Sequence, residues 1–399
     1  CTVPISMRDG DIYVGSVKFK AKYISLYFNT DIELKNIGLN VWGPPRVGKT
    51  TYIQNYIKDA IRAGENAIYF DFIKECEASE KVLEAVTEDK AIIINCGDYN
   101  NLFAFTFNEL AFKDDDTSIR KYECIKQQTQ LIGELLANLH AGVDDMRARM
   151  EKYLEAACQV VFAHKGSFAE VEDVLSNHVK RNAFCTLLPS VVPPELCKLL
   201  EVAVRDLREL DDYDKAGKKV VGTKISYIQG ILNRTHKLRQ NTFVEFMLNE
   251  RKRMIDFTEL IQENKLICIQ VPDSTFLTQD EKDIFCNFML SKITAGLKRR
   301  EYLFYNRPDE RLKCNLILDE IYQLHNVQNA LSRIYNQVAK YRFKPIITAH
   351  NIGQLESKLV NEMSTGPDNI FLQKCTENVL EPFKKQIQPY KPEIALSLP

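Results

Sequence analysis

The chain has 399 residues, with 53 Lys+Arg against 54 Asp+Glu for a formal net charge of -1, and is 45% hydrophobic and 27% charged. That balance excludes long disorder and a whole-molecule positive field, so any nucleic-acid surface has to be local. No run of about 18 apolar residues could span a bilayer, and the 11 cysteines, with no CxxC pair, read as buried free thiols of a reducing, cytoplasmic compartment.

The chain begins at Cys1 without a signal peptide, which fits a segment of a longer protein. Asp11 to Phe19 and Ala21 to Phe28 cluster β-branched and aromatic residues and predict a small N-terminal β segment over residues 1–30. A short apolar strand, Ile37 to Trp42, runs into Gly43-Pro44-Pro45 and a helix from Lys49 to Ala63. Ala67 to Asp71 and Ala91 to Asn95 are apolar runs of the kind buried on both faces of a parallel sheet. From Asp114 to Glu250 the pattern turns helical. Ser118 to Leu139 and Val143 to Ala163 have helical periodicity, Gly142 and Gly166 punctuate them, and Ser167 with Glu170 forms a capping box. Pro193-Pro194 opens a further helix, and Asp211 to Gly222, rich in Asp, Lys and Gly, reads as an exposed loop.

The β/α alternation then resumes with a strand over Lys265 to Val271 and a helix opened by a second capping box, Thr278 with Glu281. Cys314 to Leu318 is a strand ending at Asp319-Glu320, followed by a helix over Val327 to Tyr341. Pro345 to Ala349 is a strand ending at His350-Asn351, and Asn369 to Gln373 is a last candidate. Alternating strands and helices predict an α/β architecture: a mostly parallel sheet flanked by helices, with an all-helical insertion. The domains expected are residues 1–30, a core in two halves over 31–113 and 251–399, and the insertion over 114–250.

Gly43-Pro44-Pro45-Arg46-Val47-Gly48-Lys49-Thr50 matches G-x-x-x-x-G-K-[ST] and lies between a strand and a helix, as that phosphate loop requires. Its glycines let backbone N–H groups wrap a phosphate, and the helix N-terminus adds a favourable dipole. These residues, with Thr51, are the candidate ATP contacts, Lys49 reaching the β and γ oxygens and Thr50 ligating Mg²⁺. Leu316-Ile-Leu318-Asp319-Glu320 ends an apolar strand at the edge of the sheet where ligands bind. Asp319 is the second candidate for Mg²⁺, and Glu320 is the candidate base for an attacking water. Asp71 also ends a strand but lacks a paired Glu, so it ranks second as a metal ligand. His350, on the next strand, is a candidate γ-phosphate contact. Arg333, Lys340 and Arg342 compete as charges offered across a subunit interface. Lys298-Arg299-Arg300, Arg251-Lys252-Arg253 and Lys218-Lys219 are local basic clusters of the sort usually found on solvated faces.

Far more chain separates Lys49 from Asp319 than a minimal nucleotide-binding domain needs. Phosphate loop, helical insertion, the strand through Val271-Pro272, Leu-Asp-Glu and a polar strand end together resemble the HerA/FtsK superfamily of DNA-pumping ATPases, most of all the TraG/TraD-type conjugative coupling proteins. Ala67-Ile-Tyr-Phe-Asp71-Phe-Ile-Lys74-Glu75, Phe105-Thr-Phe-Asn108-Glu-Leu110 and Ile255-Asp-Phe-Thr-Glu-Leu260 are similar to segments of that family. The chain departs from it at His350, where the family has Gln, and at Ala339, where it has an arginine. The resemblance implies a RecA-like core and a hexameric ring with ATP and Mg²⁺ as cofactors, moving DNA through its pore. It also implies a place at the inner face of a membrane, through an anchor and secretion-channel partners outside this segment. A secretion-system or viral packaging ATPase of the same superfamily, and a non-translocating ATP-dependent switch, are the alternatives.

Overall fold

A computed structural model of the chain describes residues 7–19, 22–28, 38–84, 86–138, 148–363, 368–372 and 380–383. Ile37, Gly142, residues 143–147 and Gln373, all part of sequence expectations, lie outside the described residues, as does the side chain of Ala339. The elements in chain order begin with β1 (Ile12–Phe19), β2 (Lys22–Phe28), β3 (Leu39–Trp42), α1 (Lys49–Arg62), β4 (Asn66–Asp71), α2 (Glu77–Leu83) and β5 (Ala91–Asn95). A helical run follows: α3 (Ser118–Asn138), α4 (Ala148–Ala163), α5 (Phe168–Ser176), α6 (His178–Val191) and α7 (Pro194–Arg208). After β6 (Asp211–Tyr213) and β7 (Val220–Thr223) come α8 (Gln229–Arg239), α9 (Thr242–Asn249) and α10 (Phe257–Leu260). The chain closes with β8 (Leu266–Gln270), α11 (Gln279–Leu303), β9 (Cys314–Leu318), α12 (His325–Ile334), β10 (Phe343–Ala349), α13 (Ser357–Met363) and β11 (Asp368–Phe371).

Among the described residues the chain forms two compact units, Cys1–Gly97 with Thr258–Pro399, and Asp98–Phe257. The first contains a seven-stranded sheet in the order β11-β3-β10-β9-β4-β8-β5, with every neighbouring pair parallel. Strands β3, β4, β8, β9 and β10 are buried at every position, so both of their faces are covered, as continuous apolar runs require. Helix α1 presents Ile53, Tyr56, Ile57 and Ala60 to Leu39, Val41, Ala67, Tyr69 and Ile317 on one of those faces. Strand β10 separates β3 from β9. Its register sets Ala349 beside Trp42 and Ile347 beside Leu318, which brings three strand ends together at one edge. The antiparallel pair β1–β2 is the N-terminal β segment, with a bulge between Tyr13 and Gly15.

The second unit is mostly helical. Its expected loop at 211–222 is instead an antiparallel hairpin, β6–β7. Asp214 closes the turn by accepting from the Lys218 N–H, Gly217 adopts φ 66, and buried Arg181 of α6 donates to Asp211 and Thr223. Ser167 and Glu170 do cap α5 reciprocally. Thr278 accepts from the Glu281 N–H, but the Glu281 carboxylate turns to the N–H of Leu277, so that capping box is half formed. The helix expected to reach Tyr341 stops at Ile334 and continues as 3-10 turns. The described cysteines form no disulfide with one another, and no described helix is long and apolar enough to cross a membrane.

Candidate nucleotide site

Strand β3 ends at Trp42, whose indole N–H donates to Asn369 of β11 at 2.8 Å, and the chain bends at once into the phosphate loop. Two left-handed residues shape the bend, Arg46 at φ 66 and Gly48 at φ 93. A Cβ on Gly43 would lie 2.8 Å from a Val47 methyl, so the loop closes only around glycine. No side chain caps α1, which leaves its first-turn N–H groups for an anion. Lys49, 5% exposed as a residue, donates from its ammonium to the carbonyl oxygens of Gly43 at 2.9 Å and Pro44 at 3.0 Å. Burial lowers its pKa, while Glu320 and Asp319 pull the other way.

Strand β9 delivers Asp319 to the same place. The Thr50 hydroxyl donates to Asp319 Oδ2 at 2.9 Å, joining positions 269 residues apart. Asp319 Oδ1 accepts from the Thr348 hydroxyl of β10, and that hydroxyl accepts from the N–H of Glu320 at 2.8 Å. Burial raises the Asp319 pKa against these hydrogen bonds, and Asp319 is 2% exposed. Glu320 is left-handed at φ 55, a conformation that costs about 1 kcal/mol or more. The turn aims its carboxylate back over the strand ends, with Oε2 accepting from Gln323 at 2.9 Å and Tyr322 at 3.3 Å. Oε1 faces His350 Nε2 at 3.6 Å. The site thus gathers Lys49, Thr50, Asp319, Glu320 and His350 at the carboxyl ends of β3, β9 and β10.

Asp71 ends the neighbouring strand β4, near enough to Asp319 for the two carboxylates to repel, but its own hydrogen bonds run elsewhere. Its carboxylate, 1% exposed, accepts from the N–H groups of Ser79 at 2.7 Å and Ile73 at 3.4 Å, which ties it to the start of α2. The three interface candidates have other surroundings. Arg342 precedes the first residue of β10, at the sheet edge opposite the loop, and donates to the carbonyls of Asp309 and Arg311. The Lys340 ammonium lies over the Tyr341 ring, and Arg333 is an exposed residue of α12. Of the basic clusters, 251–253 and 218–219 are exposed as expected. Arg300 is not: it is fully buried and donates to the carbonyls of Ile261, Leu312 and Tyr341.

Sequence reasoning missed Thr348, Gln323, Tyr322 and Gln354. Thr348 alone left a signal, a hydroxyl inside an otherwise apolar strand close to its end. The group set fits a magnesium–triphosphate: a hydroxyl and a carboxylate oxygen 2.9 Å apart are hard oxygen ligands, with an ammonium and uncapped helix amides beside them.

No protein-family model matches the chain, and no curated protein matches it in sequence. Solved structures do. VirB4 of Thermoanaerobacter pseudethanolicus superposes over 98% of this chain and 91% of its own, at a TM-score of 0.52 and 12% identity. The bacterial conjugative coupling protein TrwBdeltaN70 in complex with sulphate covers 84% and 70%, with a TM-score of 0.47 and 10% identity. TrwB in complex with ADP and Mg²⁺ covers 88% and 70%, with a TM-score of 0.44 and 10% identity. The VirB4 likeness bears out the expected fold, a RecA-like α/β core.

Proposed function

We propose that this protein is an ATP-hydrolysing P-loop motor that translocates DNA through a hexameric ring, in the manner of conjugative coupling proteins. The observation that carries the ATPase part is the Thr50–Asp319 contact, which makes one pocket of two motifs that the sequence separates. Lys49 and the first turn of α1 hold the β- and γ-phosphates, and Thr50 and Asp319 hold Mg²⁺. A cation held there would supply neutralisation of the charge that develops on the phosphates as the anhydride bond breaks. Glu320, with Oε2 held by Gln323 and Tyr322, orients the attacking water and takes its proton at Oε1. His350 faces the same oxygen and contacts the γ-phosphate. The domains of this reading are the N-terminal β segment over 1–30, the core halves over 31–113 and 251–399 and the insertion over 114–250, with Arg333, Lys340 and Arg342 the candidates for a charge offered across a subunit interface. In this reading the ring works with membrane and secretion-channel proteins at the cytoplasmic face of a membrane.

The extent of the VirB4 likeness supports a second reading, a secretion-system ATPase of the same superfamily that moves protein. An ATPase assay with and without DNA, across protein concentrations, separates the two. Turnover that rises with concentration and with DNA is expected of the DNA motor. A rise with concentration alone favours the protein-moving reading, and flat turnover favours a switch. Lys49→Ala and Glu320→Gln are each expected to lower turnover by about 100-fold or more. A Glu320→Gln variant with normal turnover removes the assignment of the base.

A further inference from the structure

Gln354 sits in a 3-10 turn just beyond β10, Ile352–Gln354, and its side chain folds back onto the end of the strand. One of its terminal atoms lies 3.0 Å from the N–H of His350 and 3.4 Å from the N–H of Asn351. A backbone N–H can only donate, so that atom is the amide oxygen. The other is therefore the NH₂ group, which can only donate, and it lies 3.3 Å from His350 Nδ1. Nδ1 must then accept, and a neutral imidazole with an accepting Nδ1 carries its proton on Nε2. Burial, followed by the nearby Lys49 ammonium, lowers the His350 pKa against Glu320 and Asp319, which favours the neutral ring. Nε2 is itself buried without a hydrogen-bond partner and faces Glu320 Oε1 at 3.6 Å. The Tyr322 ring, centred 5.1 Å away, flanks the imidazole.

We infer that Gln354 is a positioning residue that locks His350 in the Nε2–H tautomer, so that the strand end presents a hydrogen-bond donor, not a lone pair, toward Glu320 and the oxygen atoms beside it. This rests on the reading of the pocket as a site of ATP hydrolysis. The opposite tautomer would point a lone pair at a carboxylate and at phosphate oxygens, which repels where the Nε2–H form attracts. One carboxamide thus does two things. Its oxygen terminates the strand by satisfying two backbone N–H groups, and its nitrogen chooses the face that the imidazole shows to the reaction.

Gln354→Glu separates those roles, because it keeps an oxygen for the two backbone N–H groups but replaces the donor to Nδ1 by an acceptor. The test is ¹⁵N NMR of histidine-labelled protein, with His350 assigned by loss of its signals in His350→Gln, alongside steady-state ATPase kinetics. In the parent the ring proton is expected on Nε2, and in Gln354→Glu on Nδ1. Turnover of Gln354→Glu is expected to fall by about 10- to 100-fold with KM within about twofold, no milder than Gln354→Ala. A parent ring protonated on Nδ1 overturns the proposal, and so does a Gln354→Glu enzyme that turns over like the parent. A parent protein with no ATPase activity instead defeats the reading of the pocket, while the NMR arm still decides the tautomer.

Discussion

Thr348 ties the two acids of the site to each other. Its hydroxyl donates to Asp319 and accepts from the Glu320 N–H, so it holds the left-handed turn that aims the Glu320 carboxylate. Thr348→Val keeps the shape and removes both bonds. Turnover is expected to fall by about 100-fold through misplacement of Glu320, with KM little changed, in steady-state kinetics. Asp283 shows the same economy away from the site: its carboxylate accepts from the N–H groups of Asn326 and Val327 at the start of α12. Burial raises its pKa from 3.8 to about 6 against those bonds. The folded state therefore binds this proton more tightly than the unfolded one. The associated stability is complete below pH 4 and is lost as pH rises through 6, roughly 3 kcal/mol in all. Urea unfolding of the parent and Asp283→Asn across that window should show the parent losing ground as pH rises, and a constant difference would remove the assignment.

At the scale of elements, the strands and helices of the core follow local pattern, while the departures are held by distant side chains. The β6–β7 hairpin was not legible because both strands are short, β6 is acidic and β7 is broken by Gly222, and its anchor, Arg181, comes from α6. Arg300 reads as one member of an exposed basic triplet, yet it is drawn inward to satisfy carbonyls at Ile261, Leu312 and Tyr341. Arg300→Met takes the Arg300 donor from the buried carbonyls of Leu312 and Tyr341, while that of Ile261 keeps Asn66, and is expected to lower stability by roughly 3 kcal/mol. Lys298→Ala, two positions earlier and exposed, should change it by less than about 0.5 kcal/mol in the same denaturant titration. The same logic applies to Asp71, a strand-end acid whose carboxylate is taken up by the N–H groups of Ile73 and of Ser79 in α2.

Across the whole molecule, the phosphate loop and the acid pair belong to one compact unit although Asp98–Phe257 interrupts it in sequence. Ligand that binds only the folded site adds stability by mass action, about 2.7 kcal/mol at a hundredfold excess over Kd. Thermal unfolding with Mg²⁺ and a non-hydrolysable ATP analogue should therefore show an upward shift. Removing the metal with EDTA, or introducing Lys49→Ala, should abolish most of it. An unshifted midpoint in the parent would count against a nucleotide site.

Periodicity, capping signals and the glycine-lysine bend determined the strand–helix alternation, the parallel core and the phosphate loop, because those features depend on neighbours within a turn or a strand. Strand order was decided only in three dimensions. It sets β10 between the loop strand and the acid strand, and so brings Thr348, His350 and Gln354 against Asp319 and Glu320. Which carboxylate meets Thr50, which arginine is buried and which imidazole nitrogen faces the acid all depend on contacts between residues far apart in the chain, and no local pattern encodes those.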